Sequence, residues 1–241
     1  MSICINNDLI WVSVPRCAST SIERAILNSS LTINHYRFGA STKYPQHAHV
    51  ELSKLYEKFG KIETVVVKRN YFDRWVSALQ QTWYTYETNG IELLVKWEDI
   101  NNDFIYEIFT KDYVDSIYSS FGTENQLLKH REIVEMREFN NSIIYRFAKN
   151  IPKSIDYTYN PLAVLLSQSY WVDNNKCTYE FDIDEIDKFE EFICNRYEID
   201  FRVDIINKSK PIKSNITKDE KLRKWVFDVF EKRFQKRNSI I

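Results

Sequence analysis

The chain begins with a run of apolar positions. Leu9 to Val14 is apolar and rich in β-branched types, the pattern of a buried strand. The run turns at Pro15 and passes through Arg16, Cys17, Ala18, Ser19, Thr20 and Ser21. Ile22, Ala25, Ile26 and Leu27 then recur at helical spacing, with Glu23 and Arg24 on the other face. Leu9–Leu27 therefore predicts strand, tight loop and helix. Polar residues dominate 31–48, which predicts an irregular loop reaching out from that helix. Val50, Leu52, Leu55, Tyr56 and Phe59 predict a short amphipathic helix stopped by Gly60. Ile62 to Val67, centred on Val65-Val66-Val67, predicts a second buried strand. Strand, helix, helix, strand is the start of a parallel α/β sheet.

Beyond the second strand a helix is expected to begin near Phe72 or Asp73. Residues 83–145 predict mostly helix and are rich in rings, among them Trp83, Tyr84, Tyr86, Trp97, Phe109 and Tyr113, which read as core or lid packing. A polar connection with Pro152 and Pro161 follows. Thr178 to Ile183 predicts a strand. Asp182 to Asp187 lacks the glycine and distal glutamate of a calcium loop. Asp182 or Asp184 instead reads as an N-cap, with Phe189, Phe192 and Ile193 turned inward. Asn207 to Ser214 is a basic loop. Lys218 to Arg237 predicts a closing amphipathic helix with Leu222, Trp225, Val226, Val229, Phe230 and Phe234 on its apolar face. No internal repeat interrupts this order, and 1–241 reads as a single domain.

Composition narrows the possibilities. With 241 residues, 44% of them hydrophobic, the chain can bury one substantial core. A net charge of −1 provides no global basic field, so nucleic acid is not an expected partner. Cys4, Cys17, Cys177 and Cys194 have neither zinc-ligand nor disulfide-framework spacing, which fits a reducing compartment. No segment reaches the ~18–20 apolar residues of a membrane span, and no basic-then-apolar leader is legible. A soluble, cytoplasmic protein is the expectation.

The loop after the first strand is the main candidate for chemistry. A strand end followed by a helix start leaves backbone N–H groups unpaired beside the positive end of the helix dipole, an arrangement suited to phosphate. Arg16 adds a full charge there, and Ser19, Thr20 and Ser21 add hydroxyls. The alternative is that these hydroxyls are ordinary N-caps. The loop is not a Walker A loop: it has neither glycine nor the Gly-Lys-Ser/Thr end. The second candidate is Lys68 to Leu79, at the carboxyl end of the second strand, where open α/β sheets bind ligands. Arg69 lies eight positions before Ser77, and together they could clamp an anion. The alternative makes Arg69 and Arg74 surface charges paired with Asp73. Lys208 and Lys210 read as a solvated loop that could also meet an anion. The four histidines are His35, His47, His49 and His130.

Two of these stretches together resemble the sulfotransferase superfamily that uses 3′-phosphoadenosine 5′-phosphosulfate (PAPS). Val14-Pro15-Arg16-Cys17-Ala18-Ser19-Thr20-Ser21 is similar to the family's 5′-phosphosulfate loop, often V-P-K-T-x-S-T-S. Val67 to Ala78 is similar to its 3′-phosphate element, V-x-R-[DN]-P-x-x-R-x-V-S, with the same Arg-to-Ser spacing. Gln168 to Phe192 followed by Asn207-Lys208-Ser209 is a weaker likeness to later landmarks of the family. His47-Ala48-His49-Val50 resembles a His-x-His-Val segment of the carbohydrate branch, the heparan sulfate 2-O-sulfotransferase type.

The resemblance implies a P-loop-type parallel sheet flanked by helices, with a helical, aromatic-rich insertion. It implies PAPS as donor, PAP as product, no metal, and an acceptor hydroxyl, of a glycan or small molecule. Arg16, Cys17, Ala18, Ser19, Thr20 and Ser21 would hold the 5′ side, and Arg69 and Ser77 the 3′-phosphate. His49 or His47 would be the general base; a neutral imidazole suits that role at neutral pH. The chain departs from the pattern at Arg16, where the family has Lys, and at Tyr71, where it often has Pro. Arginine effectively never loses its proton, so Arg16 would act by charge alone. Two other readings stand beside this one: a P-loop kinase for a nucleotide or small molecule, and a non-catalytic nucleotide- or glycan-binding module.

Overall fold

The computed structural model describes residues 2–35, 51–120, 146, 148–150, 164–172, 177–204 and 214–232. The chain order begins β1 (Ile3–Ile5), β2 (Leu9–Val12), α1 (Ser19–Asn28), β3 (Ile33–His35), α2 (Leu52–Phe59) and β4 (Glu63–Lys68). It continues with α3 (Tyr71–Thr88), β5 (Glu92–Leu93), α4 (Asn102–Ile108), α5 (Lys111–Ser120) and β6 (Ala148–Asn150). Last come α6 (Gln168–Trp171), β7 (Tyr179–Asp182), α7 (Ile186–Tyr197) and α8 (Glu220–Val226). These elements divide into two compact units. One is Met1–Arg74 with Ser167–Ser209 and Phe234–Ile241; the other is Trp75–Leu166 with Lys210–Arg233.

The first unit is α/β. Its described strands form one five-stranded sheet in the order β3-β1-β2-β4-β7. β2 and β4 run parallel, as the two buried apolar runs predicted, and β7 continues parallel to β4. The sheet as a whole is mixed, however, and corrects the all-parallel expectation: β1 is antiparallel to both β2 and β3. The loop joining β1 to β2 turns through Asn6 and Asn7, at φ 45° and 62°. Asparagine tolerates that left-handed geometry better than most residues. The three-residue apolar segment Ile3-Cys4-Ile5 is too short to announce a strand by periodicity. β3 falls inside the segment expected to be a loop, because pairing with β1 supplies the order that its polar sequence does not.

Alternation along the strands builds the core. Ile3, Ile5, Leu9, Trp11, Val65 and Val67 pack with Ile22 and Ile26 of α1 and with Phe189 and Ile193 of α7. Register carries one row across the sheet: Ile3 lies beside Trp11, Trp11 beside Val65, and Val65 beside Tyr179. Ile10, Val12 and Val66, which point the other way, are also buried. Leu27, expected on the apolar face of α1, is 46% exposed. It sits about 100° around the helix from Ile26. Gly60 ends α2 at φ 85°, as the stop signal predicted. Asp182 caps the 3₁₀ turn Ile183–Glu185 that leads into α7, accepting the Asp184 N–H at 3.0 Å.

The second unit is mainly helical among its described residues, and many of its rings are core, although Tyr84, expected among them, is 54% exposed. Trp75 meets Phe109 edge-on at 6.1 Å and Phe230 at 5.4 Å, and Trp83 meets Phe104 at 6.0 Å. Trp83 donates its indole N–H to the Val95 carbonyl at 2.9 Å. Asn102 exchanges hydrogen bonds with the Thr217 backbone at 3.0 and 3.1 Å, joining α4 to the segment before α8. Leu222, Val226, Val229 and Phe230 are buried as their spacing predicted, although Phe227–Glu231 winds as a π-helical turn.

At the amino ends of the parallel strands, Arg196 of α7 pairs with Asp8 at 3.0 Å and Glu63 at 2.7 Å. Tyr179 donates to Glu63 at 2.9 Å and Tyr197 to Asp8 at 2.7 Å. The Tyr179 hydroxyl first, and Arg196 second, hold the Glu63 carboxyl below its ordinary pKa. A carboxyl depressed by folding contributes stability above its unfolded pKa and loses it as pH falls through the folded value. Glu63→Ala should therefore lower the melting temperature at pH 7. The gap from the unsubstituted protein should narrow as pH falls below the ordinary carboxylate range, read by thermal unfolding across a pH series.

Candidate functional site

The parallel pairing of β2 with β4 sets the geometry. Val12 lies beside Val66 at the carboxyl ends of the two strands. Four residues further on comes Arg16, and three residues beyond Val66 comes Arg69, so two guanidinium-bearing segments leave the sheet side by side. Both side chains are half-buried. Burial chiefly, and the positive charge of Arg69 next, hold the pKa of Arg16 below its ordinary value. Two cations near enough to sense each other, in a partly desolvated place, are an electrostatic invitation to an anion.

The loop carrying Arg16 is bent where glycine would be expected. Arg16 has φ 65° and Ala18 has φ 55°, both left-handed. Such a conformation costs a residue with a Cβ roughly 1–2 kcal/mol and persists only where its surroundings enforce it. Left-handed residues before a helix also turn backbone N–H groups into a common concavity of the kind that binds anions. The Cys17 N–H reaches the Val14 carbonyl at 3.4 Å, and Ile22 donates to Ala18 at 3.0 Å.

The residue at the N-cap is Ala18, which corrects the alternative in which a serine or threonine caps α1. Ser19, Thr20 and Ser21 instead occupy its first turn, where there is no acidic side chain. The positive end of the helix is therefore left without a side-chain acceptor at the cap. The three hydroxyls are not equivalent: Thr20 is exposed, Ser19 half-buried and Ser21 buried. Ser21 lines a groove along α1 with Arg24, Asn28, Phe201 and Arg202.

Beyond β4, Asn70 caps α3, its side chain accepting the N–H groups of Phe72 at 3.1 Å and Asp73 at 3.3 Å. The helix thus starts one or two residues earlier than the apolar pattern indicated. Arg74 is 0% exposed, so the surface-charge alternative fails for it. Ser77 is a buried residue of α3 and belongs to the second unit. His47 and His49 lie outside the described residues, as do His130, Lys208 and Lys210. His35 is on β3, where its carbonyl accepts from Lys58 at 2.9 Å.

One participant was visible in the sequence only as a weak landmark. Gln168 spans the two basic segments. Its Oε1 accepts the Arg69 N–H at 2.9 Å and the Cys17 thiol at 3.4 Å, and its Nε2 donates to the Arg69 carbonyl at 2.7 Å. It is 99 residues from Arg69 along the chain, so no local spacing could have found this contact.

No family model matches the chain, and neither a curated protein nor a solved structure is similar enough to match it.

The left-handed geometry of the loop has a direct test. Ala18→Val puts a β-branched side chain where φ is positive and should lower stability by roughly 1–2 kcal/mol. Ala18→Gly should not lower it, since glycine adopts that conformation freely. Chemical denaturation of the two variants measures both.

Proposed function

We propose that the protein is a PAPS-dependent sulfotransferase of P-loop type that transfers a sulfuryl group to an acceptor hydroxyl, with a sugar hydroxyl as the acceptor. The observation that carries this reading is the side-by-side exit of Arg16 and Arg69 from neighbouring parallel strands, with Gln168 tying the two segments. A donor bearing a phosphosulfate at one end of its ribose and a phosphate at the other needs two cationic subsites of this kind. The Arg16 loop and the uncapped first turn of α1 fit the 5′ side, and Arg69 fits the 3′-phosphate. Ser77 enters this reading from the resemblance alone.

PAPS supplies an activated sulfuryl group for in-line transfer, whose demands are positioning and charge stabilisation. Arg16 would hold the 5′-phosphate and offset the negative charge that grows there as the bond to sulfur breaks. Being permanently protonated, it donates hydrogen bonds and transfers no proton. The loop N–H groups and the exposed Thr20 and half-buried Ser19 hydroxyls would share that charge. The acceptor's proton must pass to a base, and His49 or His47 takes that role in this reading, as the neutral imidazole.

Thermal shift with PAP against ADP–Mg²⁺ tests the donor. Stabilisation by PAP in preference to ADP–Mg²⁺ is expected, and the reverse preference would favour a kinase. Arg16→Ala and Arg69→Ala should each weaken PAP binding by roughly tenfold or more, as loss of one charge-assisted contact implies. The double variant His47→Ala/His49→Ala should lower turnover with PAPS and an acceptor glycan roughly 10²–10⁴-fold while PAP binding persists. PAP binding without transfer to any acceptor in the unsubstituted protein would mark a binding module instead.

A further inference from the structure

A carboxamide has one acceptor oxygen and one donor nitrogen, and Gln168 commits both to the same backbone residue. It receives the N–H of Arg69 and donates to its carbonyl, at 2.9 and 2.7 Å. Those are the two bonds a neighbouring strand would make, placed one residue beyond Lys68, where β4 ends. The same Oε1 takes the Cys17 thiol, which lies between the two left-handed residues Arg16 and Ala18. Gln168 therefore touches both basic segments at the residues from which, or beside which, their guanidinium groups project.

Gln168 is itself held in place. It opens α6, and the preceding Ser167 is fully buried and caps that turn, accepting the Tyr170 N–H on its Oγ at 3.1 Å. Tyr170 and Trp171 are buried and pack edge-on at 5.0 Å. A carboxamide on such a support restrains whatever it binds. Two like charges tend to move apart, and a bridge fixed to both segments opposes that movement.

We propose that Gln168 is a positioning residue that sets the spacing of the Arg16 and Arg69 side chains, and so selects a ligand with two separated anionic groups over a ligand with one. The inference rests on the reading of the site as a PAP-type pocket. Its consequence differs from that of a merely structural residue. Losing a structural residue weakens every ligand alike, whereas losing the spacer weakens chiefly the ligand that must meet both cations at once.

The test compares PAP, AMP and adenosine 3′-phosphate by calorimetry on the full chain, unsubstituted and as Gln168→Leu and Gln168→Met. Both substitutions remove all three bonds without adding charge, and methionine keeps the length of the glutamine side chain. PAP affinity should fall roughly tenfold or more in both variants, and that of each single phosphate by less than threefold. Melting temperatures are measured alongside. Should Gln168→Leu fail to fold, Gln168→Met and Cys17→Ala supply the same comparison, with a smaller fall for Cys17→Ala, which breaks only the thiol bond. An unchanged ratio of PAP to single-phosphate affinity overturns the positioning role while leaving the site reading intact. Failure of the unsubstituted protein to bind PAP overturns the site reading, and this inference with it.

Discussion

Two positive charges held beside each other at the end of an apolar sheet are the constraint around which this molecule is arranged. Arg16 and Arg69 stand at the carboxyl ends of adjacent parallel strands, half-buried, and the charge of Arg69 adds to the desolvation of Arg16. In isolation that arrangement is unfavourable, since burial and like charge both oppose it. The chain maintains it with left-handed backbone at Arg16 and Ala18 and with the Gln168 bridge. An anion between the arginines would reverse the sign of the electrostatics. Left-handed backbone and like charge are thus gathered at one place in the fold.

The two ends of the sheet do different work. At the amino ends, Arg196 is matched by Asp8 and Glu63, with Tyr179 and Tyr197 on the same carboxylates. Cations and anions there are paired, and the cluster ties α7 to the strands. At the carboxyl ends Arg16 and Arg69 follow β2 and β4, and Arg16 lies in the loop that leads into α1, whose first turn holds no acid. Between the two ends, β1, β2 and most of β4 are buried on both faces.

Much of this arrangement is legible in the order of residues alone. The β2–loop–α1 and β4–α3 units follow from runs of apolar residues changing to helical spacing, and their parallel pairing follows from burial on both faces. The place of Arg16 and Arg69 at strand ends follows from the same patterns. The N-cap of α1 is not legible in that way. Ser19, Thr20 and Ser21 have the composition of caps, but the backbone turns one residue earlier, at Ala18, so they fall inside the helix. β1 and β3 escape because each is a three-residue strand whose order comes from its partners. Leu27 belongs inward by composition, although its angle on α1 points it to solvent.

By itself the sequence determined the local elements and which residue types stand where strands give way to helices, because periodicity and chain direction are local properties. Only the tertiary structure decided that β1 runs antiparallel, that Arg74 is interior, and that Gln168 joins Cys17 to Arg69. The Gln168 bridge and the pairing of β1 with β3 depend on contacts between segments distant along the chain, whose hydrogen-bond geometry exists only once the sheet has brought them together.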